Sequence, residues 1–266
     1  EIYQCDWSSD VCSSDLEAAR VLVDAARDAA RASGCPHVEL RHRARQFDDL
    51  PCKAHKVTML LSLGEGMWES LDRKVRNQIR KAEKSGLVAE RGGRDLLHDF
   101  YEVFSRNMRD LGTPVYSPEL FDQVLKRFPT RARLHVVRLD GVPVAAGLTY
   151  RTRDTVEVPW ASSIRDFNHL CPNHLLYWHI IQSAVTDDCR VLDFGRSTPH
   201  EGTYKFKEQW GAQPLELHWE YCLLNGDTLP NQSPTNPKYQ RAIELWKKCP
   251  LWVANAIGPH IVGSIP

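Results

Sequence analysis

The stretch Arg133–Trp160, RLHVVRLDGVPVAAGLTYRTRDTVEVPW, carries the clearest folding signal in the chain. Two extended runs, Arg133–Leu139 and Val142–Tyr150, flank Asp140-Gly141, a pair suited to the positive φ angles of a two-residue hairpin turn. Thr155–Trp160 reads as a third strand, so an antiparallel meander is predicted.

Upstream, apolar residues recur at helical spacing in Asp95–Asp110 and in Pro118–Phe128, the second entered through Ser117-Pro118. Trp68, Leu71, Val75, Ile79 and Ala82 predict one helix over Trp68–Lys84, ended by Gly86. Before it come two extended runs, His37–Arg43 and Lys56–Leu63, and an Ala-rich helix over Glu17–Ser33 with Gly34 at its C-terminal cap. Downstream, the pattern predicts a helix at Pro172–Thr186, a strand at Val191–Phe194, a short helix at Thr203–Trp210 and a strand at Leu215–Leu223. From Lys56 onward the order is one strand, three helices, three strands, then helix, strand, helix, strand. That order implies an α/β class, a mixed sheet with helices on its faces.

The 266 residues are 42 % hydrophobic and 26 % charged, which excludes fibrous and disordered classes. Basic and acidic residues balance at 34 each, so any basic binding site has to be local. None of the eight cysteines falls in a C-x-x-C or other short ligand spacing, so no metal site is expected. Scattered thiols fit a reducing, cytoplasmic setting.

The two ends read differently from the middle. Glu1–Leu16 has no periodicity, is not preceded by a start Met, and resembles the peptide translated from sequencing-adapter read-through; a non-native leader is expected there. Cys249–Pro266 is apolar, without Lys, Arg, Asp or Glu, and too broken by Pro and Gly to span a bilayer. Two readings stay open for it: a tail packed on the protein's own surface, or a peripheral anchor at the inner membrane.

Three stretches, RNQIRKAEKSG at Arg76–Gly86, EVPWASS at Glu157–Ser163 and DFGRSTPHEGTYKFKEQWG at Asp193–Gly211, together resemble the FemAB aminoacyltransferase family, in particular its branch associated with PEP-CTERM/exosortase systems. The Tyr-x-Phe-Lys-x-x-aromatic-Gly pattern at Tyr204–Gly211 is the most specific part. The resemblance implies GNAT-like acyltransferase folds: residues 17–54 as the C-terminal remnant of a first GNAT-like domain, 55–230 as a second, and 231–266 as a helical, apolar tail. It also implies transfer of an aminoacyl or acyl group to an amine on a peptidoglycan, exopolysaccharide or surface-protein precursor. The donor is aminoacyl-tRNA or acyl-CoA, with no resident cofactor. Ser162–Asn173, where a CoA-binding loop would lie, contains no glycine, so no motif supports CoA.

The resemblance points to Lys207 as the catalytic residue, with Tyr204 and Phe206 beside it in the donor site. An ammonium there would stabilise the oxyanion formed when an amine attacks an ester or thioester; the competing reading is an exposed turn made of Lys205, Lys207 and Glu208. Arg73, Arg76, Arg80 and Lys84 fall within roughly 80° on the Trp68–Lys84 wheel, a stripe that reads either as a solvated face or, through Arg76 and Arg80, as a phosphate contact. Arg196, followed by Ser197 and Thr198, is expected in a loop just after a strand, placed to clamp a carboxylate or phosphate. Trp160, Ser162, Ser163 and Asn173 are candidate substrate contacts; Trp160 taken alone reads first as packing, and no serine-nucleophile motif accompanies the hydroxyls. His174, His179 and His200 lack a motif, and the first two, five apart, do not share a helix face.

Overall fold

A computed structural model describes residues 13–226, 228–229 and 237–263. The expected leader therefore lies outside the described residues up to Cys12. Ser13–Leu16 are described, and they extend the first helix upstream of the start predicted at Glu17.

In chain order the elements begin with α1 (Ser13–Ala32), β1 (His37–His42), β2 (Cys52–Ser62), α2 (Met67–Ser70), α3 (Arg73–Lys84) and β3 (Leu87–Gly92). After a 3-10 turn come α4 (Leu97–Leu111), α5 (Pro118–Arg127) and the meander β4 (Ala132–Leu139), β5 (Val142–Thr152) and β6 (Thr155–Ser163). A second 3-10 turn leads to α6 (Pro172–Thr186), β7 (Val191–Ser197), α7 (Gly202–Glu208), β8 (Gln213–Leu223), α8 (Pro237–Lys247) and α9 (Leu251–Val262).

The chain forms two compact units. The smaller comprises Glu1–Thr58, Ser197–Pro199 and Pro214–Asn231. Its strands run in the order β1-β8-β2, counting the first half of β2, with β1 antiparallel to β8. Phe47, Leu50 and Cys222 form its core, with Ala19 and Val23 of α1 packed on them. The Glu220 carboxylate, fully buried, accepts hydrogen bonds from the N–H groups of Phe47 at 2.7 Å and Gln46 at 3.2 Å.

The larger unit comprises Met59–Arg196, His200–Gln213 and Gln232–Pro266, with strand order β2-β7-β6-β5-β4-β3. Strands β3 to β6 are antiparallel neighbours, and β6 pairs β7 in parallel. The hairpin is built as predicted: Asp140 and Gly141 both have positive φ, at 50° and 82°. Strand alternation sends Leu134, Val136, Ala146 and Leu148 into a core shared with Phe100, Phe104 and Phe121 of α4 and α5. On β4 the intervening His135 faces α6, where its Nδ1 lies 3.2 Å from that of His179. Helices thus cover both faces of this sheet.

Two predicted elements are corrected. The helix over Trp68–Lys84 is two helices: Leu71 is extended (φ −68°, ψ 144°), which lets the Asp72 side chain accept from the N–H of Lys74 and cap α3. Strand β3 was absent from the predicted order because it is an edge strand burying only Leu87 fully, too little to show an alternation.

Candidate functional site

Strands β6 and β7 pair at three positions, Thr155 with Val191, Val156 with Leu192 and Glu157 with Asp193, and there the ladder ends. Yet β6 continues to Ser163 and β7 continues through Gly195 and Arg196. The N–H of Ile164 bonds to Val144 O on the β5 side, so ladder alternation turns the N–H and C=O groups of Ala161 and Ser163 to the opposite edge, toward the parted β7. The result is a strand edge with main-chain donors and acceptors available to an extended ligand.

Gly195 marks the departure of β7. Its φ is +75°, a left-handed value that glycine adopts without a Cβ penalty, and its N–H bonds to Asp193 Oδ1 at 2.8 Å. This in-strand irregularity corrects the expectation that Arg196 sits in a loop after Phe194: Arg196 lies within β7, with its side chain exposed. Ser197 is buried at the strand end, and Thr198, in the smaller unit, accepts a hydrogen bond from Lys56 Nζ at 2.6 Å.

The turn at Gly195 presents two carbonyls, and Lys207 of α7 takes both. Its Nζ donates to Gly195 O and to Arg196 O, each at 2.9 Å. Lys207 is only 8 % exposed, so the reading of Lys205–Glu208 as an exposed turn is corrected at its central residue. Lys205 and Glu208 are exposed. Burial pushes the Lys207 ammonium down to about 8, against the opposing pull of the Asp193 carboxylate. An ammonium has three N–H donors, and two carbonyls leave one for a ligand.

An aromatic wall surrounds α7. Phe206 and Trp210 pack with His174 and Tyr177 of α6 at centroid distances of 5.3 to 6.3 Å. Tyr204, half-buried, lies 5.8 Å from the ring of His200. The apolar setting pushes His174 down to about 4, with Lys74 adding to the effect, so the imidazole is neutral, and its buried Nε2 has no hydrogen-bond partner. His179 is turned to the other side of α6 and is occupied. His135 Nε2 lies 3.2 Å from Thr149 Oγ1, whose hydroxyl donates to Arg133 O, so His135 Nε2 carries its proton and His179 Nδ1 donates to His135 Nδ1.

The start of α6 is a poor phosphate cradle. Cys171 is left-handed (φ 63°), Pro172 has no N–H, and the N–H groups of His174 and Leu175 are taken by Cys171 O. Among the described residues this leaves Asn173, half-buried, with the one uncommitted N–H of the first turn. Beside it, Gln78 of α3 accepts from Cys171 Sγ, and Lys74 is near enough to act on His174. Sequence reasoning passed over Lys74 and Gln78 because they lie off the arginine stripe; the cap at Asp72 was the available signal.

Ser162 is buried and accepts from Asn107 Nδ2 of α4 at 3.1 Å, while Ser163 Oγ donates to Asn168. Trp160 meets Phe121 edge-on at 5.2 Å and Tyr116 at 6.3 Å, which gives it a packing role. The stripe on α3 is real in part. Arg73, Arg80 and Lys84 are exposed, Arg76 is half-buried, and among the described residues none of the four makes an ion pair. The Arg80 guanidinium stacks 5.2 Å from the Trp68 ring centroid. Arg76→Glu with Arg80→Glu is therefore expected to leave folding intact, to weaken binding of a phosphate-bearing substrate several-fold and to flatten its salt dependence. A titration across a salt series checks this, and unchanged affinity would return the stripe to solvent. Among the described residues, His98, Asp99 and Glu102 bring potential ligand atoms within 4.8 Å of one another, but Asp99 is already engaged by Arg138.

Strands β6 and β7 thus pair over a short parallel ladder and then part, with α6 leading from one to the other. The match to the family model "Acetyltransferase (GNAT) domain" covers residues 70–208, and the chain belongs to this family. Solved structures of similar fold include FemX, at 17 % identity and TM-score 0.60 over 88 % of this chain and 81 % of that one. The C-terminal domain of a putative lysylphosphatidylglycerol synthetase from Agrobacterium fabrum is 15 % identical, with TM-score 0.59 over 77 % and 73 %. L-PGS from Bacillus licheniformis is 11 % identical, with TM-score 0.57 over 85 % and 76 %. At these identities the likeness is one of fold. A comparison with curated protein sequences finds no match.

Proposed function

We propose that the chain transfers an aminoacyl group from an aminoacyl ester, of the kind carried by tRNA, to an amine. The observation that carries this is the pairing of an opened β6/β7 edge with the buried Lys207 ammonium at its margin. The acyl chain lies along β6, and the acceptor amine attacks its carbonyl carbon. The C–N bond forms as charge gathers on oxygen, where the third Lys207 N–H stabilises it. The ester C–O bond then breaks, the leaving hydroxyl gains a proton and the amine loses one.

An ester donor is preferred to acyl-CoA because the first turn of α6 offers a pyrophosphate little besides the N–H of Asn173. The unpaired cations of α3 favour a polyanionic carrier. The CoA-dependent N-acyltransferase is the second reading, favoured by the family to which the chain belongs. The acceptor is an amine on a peptidoglycan, exopolysaccharide or exosortase-processed precursor, with Arg196 exposed near the opening to hold its phosphate or carboxylate.

Amide formation assayed with aminoacyl-tRNA and with acyl-CoA thioesters tests the donor. Turnover with aminoacyl-tRNA alone is expected. Turnover with CoA thioesters alone would establish the second reading, and binding without turnover on any donor would make the chain a precursor-holding module. Because Lys207 acts as a cation, the rate should fall as pH rises through about 8. A rise through the same value would instead mark Lys207 as a base.

A further inference from the structure

Helix α9 is apolar apart from Asn255 and the exposed His260. One arc, with Ala254 and Gly258, is buried, and Gly258 packs so closely on Val115 that a Cβ would lie 2.9 Å from its backbone. The other arc is open. Trp252 is 75 % exposed, Ile257 46 % and Ile261 36 %, and on the preceding helix Leu245 is 72 % exposed. A helix so rich in apolar residues normally has cover on every side. Here half of the cover is missing.

The charge beside this face identifies what covers it. Residues 237–263 contain four basic side chains, Lys238, Arg241, Lys247 and Lys248, against the single acid Glu244, in a chain whose net charge is zero. Lys247 pairs with Glu244, and α9 itself holds neither Asp nor Glu. A second copy of the chain would bring two cationic faces together, which disfavours self-association. An anionic bilayer offers both an apolar interior and negative headgroups. At 12 residues α9 is roughly 18 Å long, too short to cross the hydrocarbon core, and no helix among the described residues is long and apolar enough to do so. Exposed Trp next to Lys and Arg is the composition of a helix lying in the headgroup plane.

We infer that the α8–α9 segment docks the larger unit onto the surface of an anionic bilayer, with Leu245, Trp252, Ile257 and Ile261 inserted and Arg241, Lys247 and Lys248 against the headgroups. The inference is independent of the reaction proposed above. Trp252 becomes a shallow anchor, and a substrate held at the same surface would be met by lateral diffusion.

Co-sedimentation of the full chain with vesicles of phosphatidylcholine, with and without about one third phosphatidylglycerol, tests it. Binding is expected to the anionic vesicles and to fall as salt is raised from about 0.1 to 0.5 M. Trp252→Ser with Ile257→Ser should weaken it by about tenfold or more. Lys247→Glu with Lys248→Glu leaves the apolar face intact and should weaken it as well. Failure of the wild-type chain to bind anionic vesicles would overturn the inference. So would equal binding by the Ser variant, or a wild-type dimer that ignores vesicles and is broken by the same substitutions.

Discussion

Lys207→Met is expected to lower turnover about a hundredfold, the loss that follows removal of one oxyanion donor. On sequence alone the same change would be expected to leave the melting temperature nearly unchanged, and the structure alters that expectation. The buried ammonium satisfies Gly195 O and Arg196 O, and methionine leaves both carbonyls without a donor. The folded state should lose about 1–3 kcal/mol. The two effects separate in the assay, since a denaturant melt gives the folded fraction and turnover is then expressed per folded molecule. A stability loss with undiminished turnover would leave Lys207 a strand-end brace and nothing more. Lys205→Met, an exposed neighbour on the same helix, should change neither quantity. The pH dependence supplies a further signature. The folded-state value is depressed to about 8 from the ordinary 10.5, so between these values the unfolded chain holds a proton that the folded chain has released. Stability therefore gains a contribution as pH rises through that window, and Lys207→Met should abolish it.

The sequence made Lys207 a candidate by resemblance, yet its burial was not legible, because its partners are main-chain carbonyls that no side-chain pattern announces. The same holds for β7. Asp193-Phe194-Gly195 reads as strand followed by turn, whereas the structure absorbs the positive φ of Gly195 inside the strand through the Asp193 side chain. Where local chemistry is decisive the reading is close. The Asp140-Gly141 turn forms as its residue types demand, and α6 starts at Pro172 and ends at Thr186, as its flanks imply. Leu71 shows the opposite case. It fits the helical spacing of Val75 and Ile79, and its burial is satisfied equally well by an extended residue feeding a capped helix. Periodicity identifies which residues face the core, but it does not count the segments that carry them. The stripe of α3 survives that break because Arg73, Arg76, Arg80 and Lys84 all lie C-terminal to the Asp72 cap.

Phe121→Ala should be the most destabilising of the substitutions considered, at about 3–5 kcal/mol, the usual range for removing a fully enclosed aromatic ring. Phe121 is 0 % exposed and ties its own helix to two other elements: Phe100 and Phe104 of α4 edge-on at 5.0 and 5.2 Å, and Trp160 of β6 at 5.2 Å. Phe100 and Phe104 are themselves stacked at 5.5 Å. These rings come from two helices and a strand, so the cavity cannot close by moving one side chain without opening a gap beside another. For a unit of this size each kcal/mol shifts the melting temperature by about 2–4 °C, so a drop of roughly 10 °C is expected. Phe128→Ala, at a ring 39 % exposed, should cost under about 1 kcal/mol. The cluster also decides what Trp160 does. If Trp160 packs, as its edge contact with Phe121 indicates, Trp160→Ala and Phe121→Ala share an interaction, and the double variant should be less destabilised than the two single effects together. Turnover per folded molecule should then survive Trp160→Phe, which keeps a ring in the slot. Additive destabilisation, with turnover lost in Trp160→Phe, would instead move Trp160 out of the core and into the opening beside β7.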